Sequence, residues 1–494
     1  MKLTAHLVAA LLFIILIITV NSYLIPDEQI NRNKSEVTDL KKNYELFART
    51  RRTVVVLDKT KLWKDGIIPY HFDDVITGQQ RRFIKKAMRE WEKSTCIQFV
   101  ERNEKIHPSN YLNFTKLALC ECCYVEQELF YTGHQISLGD RCFVQHIVVH
   151  ELGHAIGFHH EHNHPDRDKY IQINYPNIPK DDFGDFKKYT HDQVDTLRLP
   201  YDYESVMHYH STILTDGKLP PTITRIPESQ NGPSDLIEEK SKPSNGDIAA
   251  TNLLYQCSKC GKTLYEPRGT FEQPINNNNV TLNDVERCEW RIRAAEGESI
   301  KLKIISLKIF PTYNCLFDYL EIRNGNSPNS PILGRYCGNI VDVTIMIDNF
   351  LLITYVKMSN QNITSTFKVE YEIICHKTID IRNDTSYNLE SPNYPECYKP
   401  YMECYWHFIA PENHQVVIEF DFFEIEYSEN CENDYVKIRD NIGYRTPIIG
   451  FYCGIRNTWK VNSTENKMYM VFYSNGLIEK GGFSAKLTAR PIID

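Results

Sequence analysis

Apolar and polar positions divide the chain into four regimes. Leu7 to Val20 is apolar except for Thr19, is preceded by Lys2, and is followed by the small residues Asn21 and Ser22. A basic start, an apolar run too short to span a bilayer and small residues beyond it predict a cleaved secretory signal over residues 1–22. Residues 23–52 are polar and without cysteine, so they lack the means to build a core. Periodicity begins after them. Gly66 to Tyr70 reads as a turn and a strand, and Gln79 to Trp91 as an amphipathic helix with Phe83, Ile84, Ala87, Met88 and Trp91 on one face. In the second half the pattern changes to alternation, as in Ile300 to Ile304 and Val416 to Phe422, which predicts strands of β-sandwiches.

That second half is also a repeat. Cys288-Glu289-Trp290 returns as Cys404-Tyr405-Trp406, Cys315 with Asp318-Tyr319 as Cys431 with Asp434-Tyr435, and Tyr336-Cys337-Gly338 as Tyr452-Cys453-Gly454, each 116 positions on. Two copies of this length are tandem domains, not a solenoid. A chain of 494 residues is too long for one core. Its net charge of −8 is mild for that size and argues against a nucleic-acid partner. No segment after the first is long and apolar enough to cross a membrane, so a secreted, extracellular chain without a membrane span is expected.

The densest chemistry lies between the polar segment and the repeat. His150-Glu151-Leu152-Gly153-His154-Ala155-Ile156-Gly157-Phe158-His159-His160 spells H-E-x-x-H-x-x-G-x-x-H. His150 and His154 are four apart, so on a helix both imidazoles face one side and can hold one Zn²⁺. Glu151 lies beside the first ligand, where a carboxylate can reach a water. Gly157 permits the backbone turn that ends the helix and returns His160 as a third nitrogen ligand. Three protein ligands leave one position open, the arrangement of a catalytic zinc. His146, His159, His162, His164 and His208 are expected to be surface or supporting residues, because one zinc needs only three of the histidines.

Fifteen cysteines and the sequons at Asn33, Asn113, Asn279, Asn362, Asn383 and Asn462 fit an oxidising, glycosylating route. An odd count leaves a thiol unpaired within the chain. Arg49-Thr50-Arg51-Arg52 has the R-x-R-R form cut by a furin-like protease, which would release residues 23–52 as a propeptide. With no cysteine there, an inhibitory ligand to the zinc would have to be a carboxylate such as Asp27 or Asp39.

The zinc motif extended by Glu161 and Asp166-Arg167-Asp168, together with Ser205-Val206-Met207-His208-Tyr209, makes residues 53–257 resemble an astacin-type metalloprotease. The resemblance implies that Met207 forms the apolar floor under the zinc and that Tyr209 stabilises the oxyanion of the transition state. It also implies that Glu161 meets the new N-terminus, Thr53, after processing. Cys120-Glu121-Cys122-Cys123 resembles the C-x-C-C run of the tolloid and procollagen C-proteinase subgroup. By that likeness Cys122 and Cys123 would form a vicinal bond, with Cys96–Cys257 and Cys120–Cys142 beside it. The chain departs from the family at His164, where arginine is usual, and in Glu126 to Tyr131, where a glycine- and arginine-rich segment is expected. The propeptide lacks the family's F-x-G-D motif.

The repeat resembles a pair of CUB domains, the second carrying Ser391-Pro392-Asn393-Tyr394-Pro395. Its implied bridges are Cys260–Cys288, Cys315–Cys337, Cys375–Cys404 and Cys431–Cys453, leaving Cys397 over. The family's Ca²⁺ ligands map onto Glu426, Asp434 and Asn475 of the second copy. In the first copy Phe310 replaces the glutamate, and no calcium is expected.

The expected architecture is multidomain. A signal (1–22) and a propeptide (23–52) precede an α+β metzincin, astacin-like zinc protease (53–257) and two all-β CUB sandwiches (260–372 and 375–491). The expected function is that of a secreted zymogen of a tolloid-like zinc endopeptidase, acting on extracellular matrix or growth-factor-regulating proteins recruited by the CUB domains. The alternatives are another astacin role, such as moulting, hatching, digestion or venom, and a non-catalytic CUB adhesion protein.

Overall fold

The computed structural model describes residues 55–104, 107, 110–117, 122–125, 134–215, 220–226, 236–273, 286–295, 298–348, 350–358, 365–382, 385–443 and 445–492. The expected signal (1–22) and propeptide (23–52), with Arg49, Arg51 and Arg52, lie outside these residues. So do Thr53, Cys120, the segment 126–131 and the sequons at Asn33, Asn279, Asn362 and Asn383. No helix among the described residues is long and apolar enough to cross a membrane.

The first domain is a sheet covered by two helices. Its strands are β1 (Ile67–Phe72), β2 (Gln98–Glu101), β3 (Leu112–Thr115), β4 (Cys122–Val125) and β5 (His134–Leu138), in the order β2-β1-β3-β5-β4. All neighbours run parallel except β4, which closes the edge antiparallel to β5. Helix α1 (Gly78–Glu92) begins at a capping box in which Thr77 and Gln80 satisfy each other's backbone amides. Helix α2 (Gln145–Ile156) carries the first two histidines of the motif; the residues just before it, Asp140–Cys142, form a 3₁₀ turn. Apolar positions of both helices enter one core, and the Trp91 indole N–H donates to the Val149 carbonyl at 3.0 Å, tying α1 to α2. Beyond α2 come the small two-stranded antiparallel sheet of β6 (Ile171–Ile173) and β7 (Ile223–Arg225) and the last helix of the domain, α3 (Asn245–Leu254).

Two expectations fail here, both for reasons of strand geometry. Cys142 pairs with Cys122, not Cys120, so the vicinal Cys122–Cys123 bond does not form. Cys122 and Cys123 are neighbours on β4, where successive side chains point to opposite faces. Cys122 packs against the core in which Cys142 is buried, and Cys123 makes a disulfide of its own. The sequon at Asn113 is the second failure. Asn113 sits on β3 in the middle of the sheet, opposite Gln135 of β5, and its buried amide nitrogen donates to the Gln135 side chain at 2.9 Å. The atom that would carry a glycan is thereby taken up inside the fold. Asn462 is exposed.

Cys96–Cys257 closes the first domain, and Cys260–Cys288, Cys315–Cys337, Cys375–Cys404 and Cys431–Cys453 brace the two that follow. Cys397 is free and exposed. Each copy of the repeat is a sandwich of two mainly antiparallel sheets. The repeated Cys-x-Trp has one meaning in both: the cysteine bridges to the start of the sandwich, at or just before its first strand, and the tryptophan two residues on, Trp290 or Trp406, enters the core between the sheets.

Candidate metal centre

His150 and His154 project from the same side of α2 because four residues are about one helical turn. The helix then stops at Gly157, whose φ of 117° is left-handed and whose N–H reaches back to the Gly153 and His154 carbonyls. That turn brings His160 back to the other two. The three Nε2 atoms converge: His154 to His160 is 3.2 Å and His160 to His150 is 3.0 Å. The opposite ring nitrogens explain the aim. Nδ1 of His150 lies 2.8 Å from the Val206 carbonyl, and Nδ1 of His154 lies 2.8 Å from the Phe158 carbonyl. A carbonyl can only accept, so each Nδ1 carries the proton and each Nε2 offers its lone pair to the shared centre. Lone pairs so close repel unless a cation lies between them. Nitrogens about 2.0–2.1 Å from a tetrahedral zinc are about 3.3 Å apart, close to the spacing found. The residues fit zinc.

The floor of the site is built from the S-x-M-H-Y segment. Met207 is 1% exposed and packs under α2 so closely that a Cβ on Gly153 would stand 2.4 Å from its sulfur. The Glu161 N–H donates to the Met207 carbonyl at 3.0 Å, joining the segment of the third histidine to the floor. Tyr209 lies over the cluster, its ring 4.4 Å from that of His160 and stacked on His162 at 4.1 Å. Glu151, next to the first histidine, is buried.

The support beneath this floor comes from residues that the sequence does not single out. Asp247 of α3 accepts from the Ser205 hydroxyl (2.7 Å) and the Val206 amide (2.9 Å), and so holds the carbonyl that orients His150. Ser244 caps the same helix and donates to Asp202, whose own amide donates to Glu161 at 2.9 Å. Burial pushes the Asp247 carboxyl up to about 6 against these hydrogen bonds. Glu161 is pushed up to about 8, by burial first and then by the nearby Asp247 and Asp202 carboxylates. The one available signal was Ser244-Asn245-Gly246-Asp247, a helix-capping pattern that carries no mark of a metal site. His162 and His164 are buried supporting residues, and Nε2 of His208, whose Nδ1 faces the Tyr209 carbonyl, accepts from the buried Tyr201 hydroxyl at 2.6 Å. Burial holds His208 neutral, down to about 4.

The candidate calcium residues also come together. Glu426 and Asp434 are buried in the second sandwich, where Asp434 accepts from the Tyr398 hydroxyl (2.5 Å) and the Asn475 amide (2.7 Å). The same hydroxyl accepts from the Glu426 amide, and Glu426 keeps one buried oxygen, Oε2, with no partner. The Asn475 side-chain oxygen is engaged locally, by the Leu477 amide.

Residues 55–256 match the model of the astacin peptidase family, and residues 260–371 and 375–487 match that of the CUB domain. The chain is 36% identical over 460 residues to the dorsal-ventral patterning protein tolloid of Drosophila melanogaster, covering 88% of this chain and 43% of that one. It is 38% identical over 424 residues to a bone morphogenetic protein 1 homolog of Strongylocentrotus purpuratus, covering 86% and 65%. Among solved structures, High choriolytic enzyme 1, a hatching enzyme zinc-protease from Oryzias latipes, superimposes with a TM-score of 0.36 at 30% identity, covering 42% of this chain and 99% of that one. The chain thus spans between about two fifths and two thirds of the length of these curated relatives.

Proposed function

The chain belongs to the astacin family of peptidases, continued by two CUB domains, and from that premise we propose that it is a secreted zinc endopeptidase of extracellular proteins. The observation that carries the reading is the convergence of three Nε2 atoms within 3.0–3.2 Å of their neighbours, with Glu151 beside the first and Tyr209 over the third. Zinc bound there supplies a Lewis acid that polarises the scissile carbonyl and acidifies water. Glu151 takes the proton of the attacking water and returns it to the leaving amine. The Tyr209 hydroxyl donates to the oxygen that becomes negative, and the His162 ring stacked on it limits where that hydroxyl can go.

A zymogen start accords with how the domain begins. Val55 bridges to Phe158, and the Val56 amide donates to the Gly157 carbonyl at 3.0 Å, so the residues just after the basic cluster run beside the end of the zinc helix. Cleavage after Arg52 by a furin-like protease would free the amine of Thr53. A buried carboxyl with an acidic neighbourhood, as at Glu161, is the kind of group such a cation would stabilise. The CUB domains would recruit matrix or growth-factor-regulating proteins and raise their local concentration at the cleft, a tolloid-like role. The test is hydrolysis of a casein-type substrate by the processed chain. We expect chelation to abolish it and Zn²⁺, but not Ca²⁺, to restore it; activity that survives complete removal of zinc would overturn the assignment.

Calcium is proposed for the second CUB domain alone, held by Glu426, Asp434 and Asn475, hard oxygen donors suited to that ion. The orphaned Glu426 oxygen supports this. Added Ca²⁺ should raise the melting temperature of the wild-type chain and leave Glu426→Gln unmoved. A wild type whose melting ignores Ca²⁺ would rule the site out.

A further inference from the structure

Helix α1 carries two opposed faces. Ile84, Ala87, Met88 and Trp91 enter the core, while Gly78, Arg81, Arg82, Lys85 and Arg89 recur at helical spacing along the other side. A basic stripe at this period ordinarily faces water. Here it faces the second CUB domain. The Arg81 guanidinium meets the Asp421 carboxylate at 3.2 Å, and Arg82 lies over the Phe422 ring, 5.0 Å from its centre. The Lys85 ammonium is shared between Glu101 of β2, at 2.8 Å, and Glu390 of the second CUB domain. Arg89 spans two carbonyls of the S-P-N-Y-P segment, donating to Asn393 at 3.1 Å and Tyr394 at 2.6 Å. Gly78 completes the fit, because a Cβ there would stand 2.0 Å from the Asp421 carbonyl oxygen. The end of the same helix takes the first CUB domain: Tyr265 donates to the buried Glu92 carboxylate at 2.9 Å.

We propose that this stripe is a docking surface for the chain's own second CUB domain, so that the protease and both CUB domains act as one rigid body rather than as beads on linkers. The contact has the composition of a specific clasp. The Lys85 and Glu390 side chains are only 11% and 13% exposed, so removing either leaves a poorly solvated charge behind. The guanidinium of Arg89 reads backbone, which fixes position and not merely charge. The Arg81 pair is more open and contributes little alone. A fixed second CUB domain presents its remaining surface in one direction relative to the cleft. If the proposed protease recruits substrate there, rigidity keeps the effective concentration high; the clasp itself does not depend on that reading.

The test uses the full chain and needs no activity. Hydrogen exchange of segment 388–394 and the radius of gyration in solution are compared among wild type, Glu390→Lys and the swap Glu390→Lys with Lys85→Glu. We expect Glu390→Lys to speed exchange in that segment by about tenfold or more and to expand the particle, and the swap to recover only part of both, because the new carboxylate at position 85 also faces Glu101. Raising salt to about 1 M on the wild type should expand it far less than the substitution does, because salt screens the open Arg81 pair but hardly the buried Lys85 pair. Zinc content should be the same throughout, since no metal-site residue is altered. Unchanged exchange and dimensions in Glu390→Lys would overturn the clasp.

Discussion

Replacing Glu151 by glutamine should lower kcat/KM on a protein substrate by about 10³-fold, some 4 kcal/mol of transition-state stabilisation, while zinc content stays at the wild-type level. The substitution keeps the volume and most hydrogen-bonding capacity of a buried side chain and removes only its ability to take a proton. His150, His154 and His160 are untouched, and their aim is set by the carbonyls of Val206 and Phe158, so the metal should remain. His154→Ala should differ in kind, losing metal and activity together. The pair of results separates a proton-transfer role from a structural one. A Glu151→Gln chain that cleaves at the wild-type rate would remove Glu151 from the mechanism, and one that also loses zinc would make it a supporting residue.

What could be read from the chain followed from how local each feature is. The two helical histidines, the glycine turn and the third histidine occupy eleven consecutive residues, and helical geometry turns that spacing into the convergence seen. The repeat was legible for a similar reason: each copy carries its own cysteine pairs and core tryptophan. Features that depend on distant segments were not legible. Choosing between Cys120 and Cys122 as the partner of Cys142 requires knowing which face of β4 looks inward. Asn113 is a sequon by sequence and an interior residue by its place between β1 and β5. Asp247, which steadies the turn above it, lies about 40 residues from Ser205. The basic stripe on α1 was hidden in the same way, since its partner is some 300 residues on.

Removing Cys96–Cys257 should be the most destabilising single change to the protease domain, by about 5 kcal/mol, because the bond closes a sequence separation of 161 and the entropy it withholds from the unfolded chain grows with loop length. Cys122–Cys142, with a separation of 20, should be worth nearer 3 kcal/mol on the same reasoning. Against a typical domain stability of about 5–15 kcal/mol, the larger loss threatens the fold itself. Its local effect should also reach the metal. Cys257 follows α3, whose Asn252 donates to the Ser94 carbonyl near Cys96, and α3 carries the Asp247 that holds Ser205 and Val206. A loosened α3 therefore releases the carbonyl that fixes the His150 tautomer, and zinc affinity should fall along with stability. Denaturant melts and zinc titrations of Cys96→Ala with Cys257→Ala, set beside Cys122→Ala with Cys142→Ala, measure both effects. A larger stability loss from the shorter loop would show that packing around Cys142, not chain entropy, dominates. Unchanged zinc affinity in the Cys96 and Cys257 variant would break the proposed link from α3 to the metal centre.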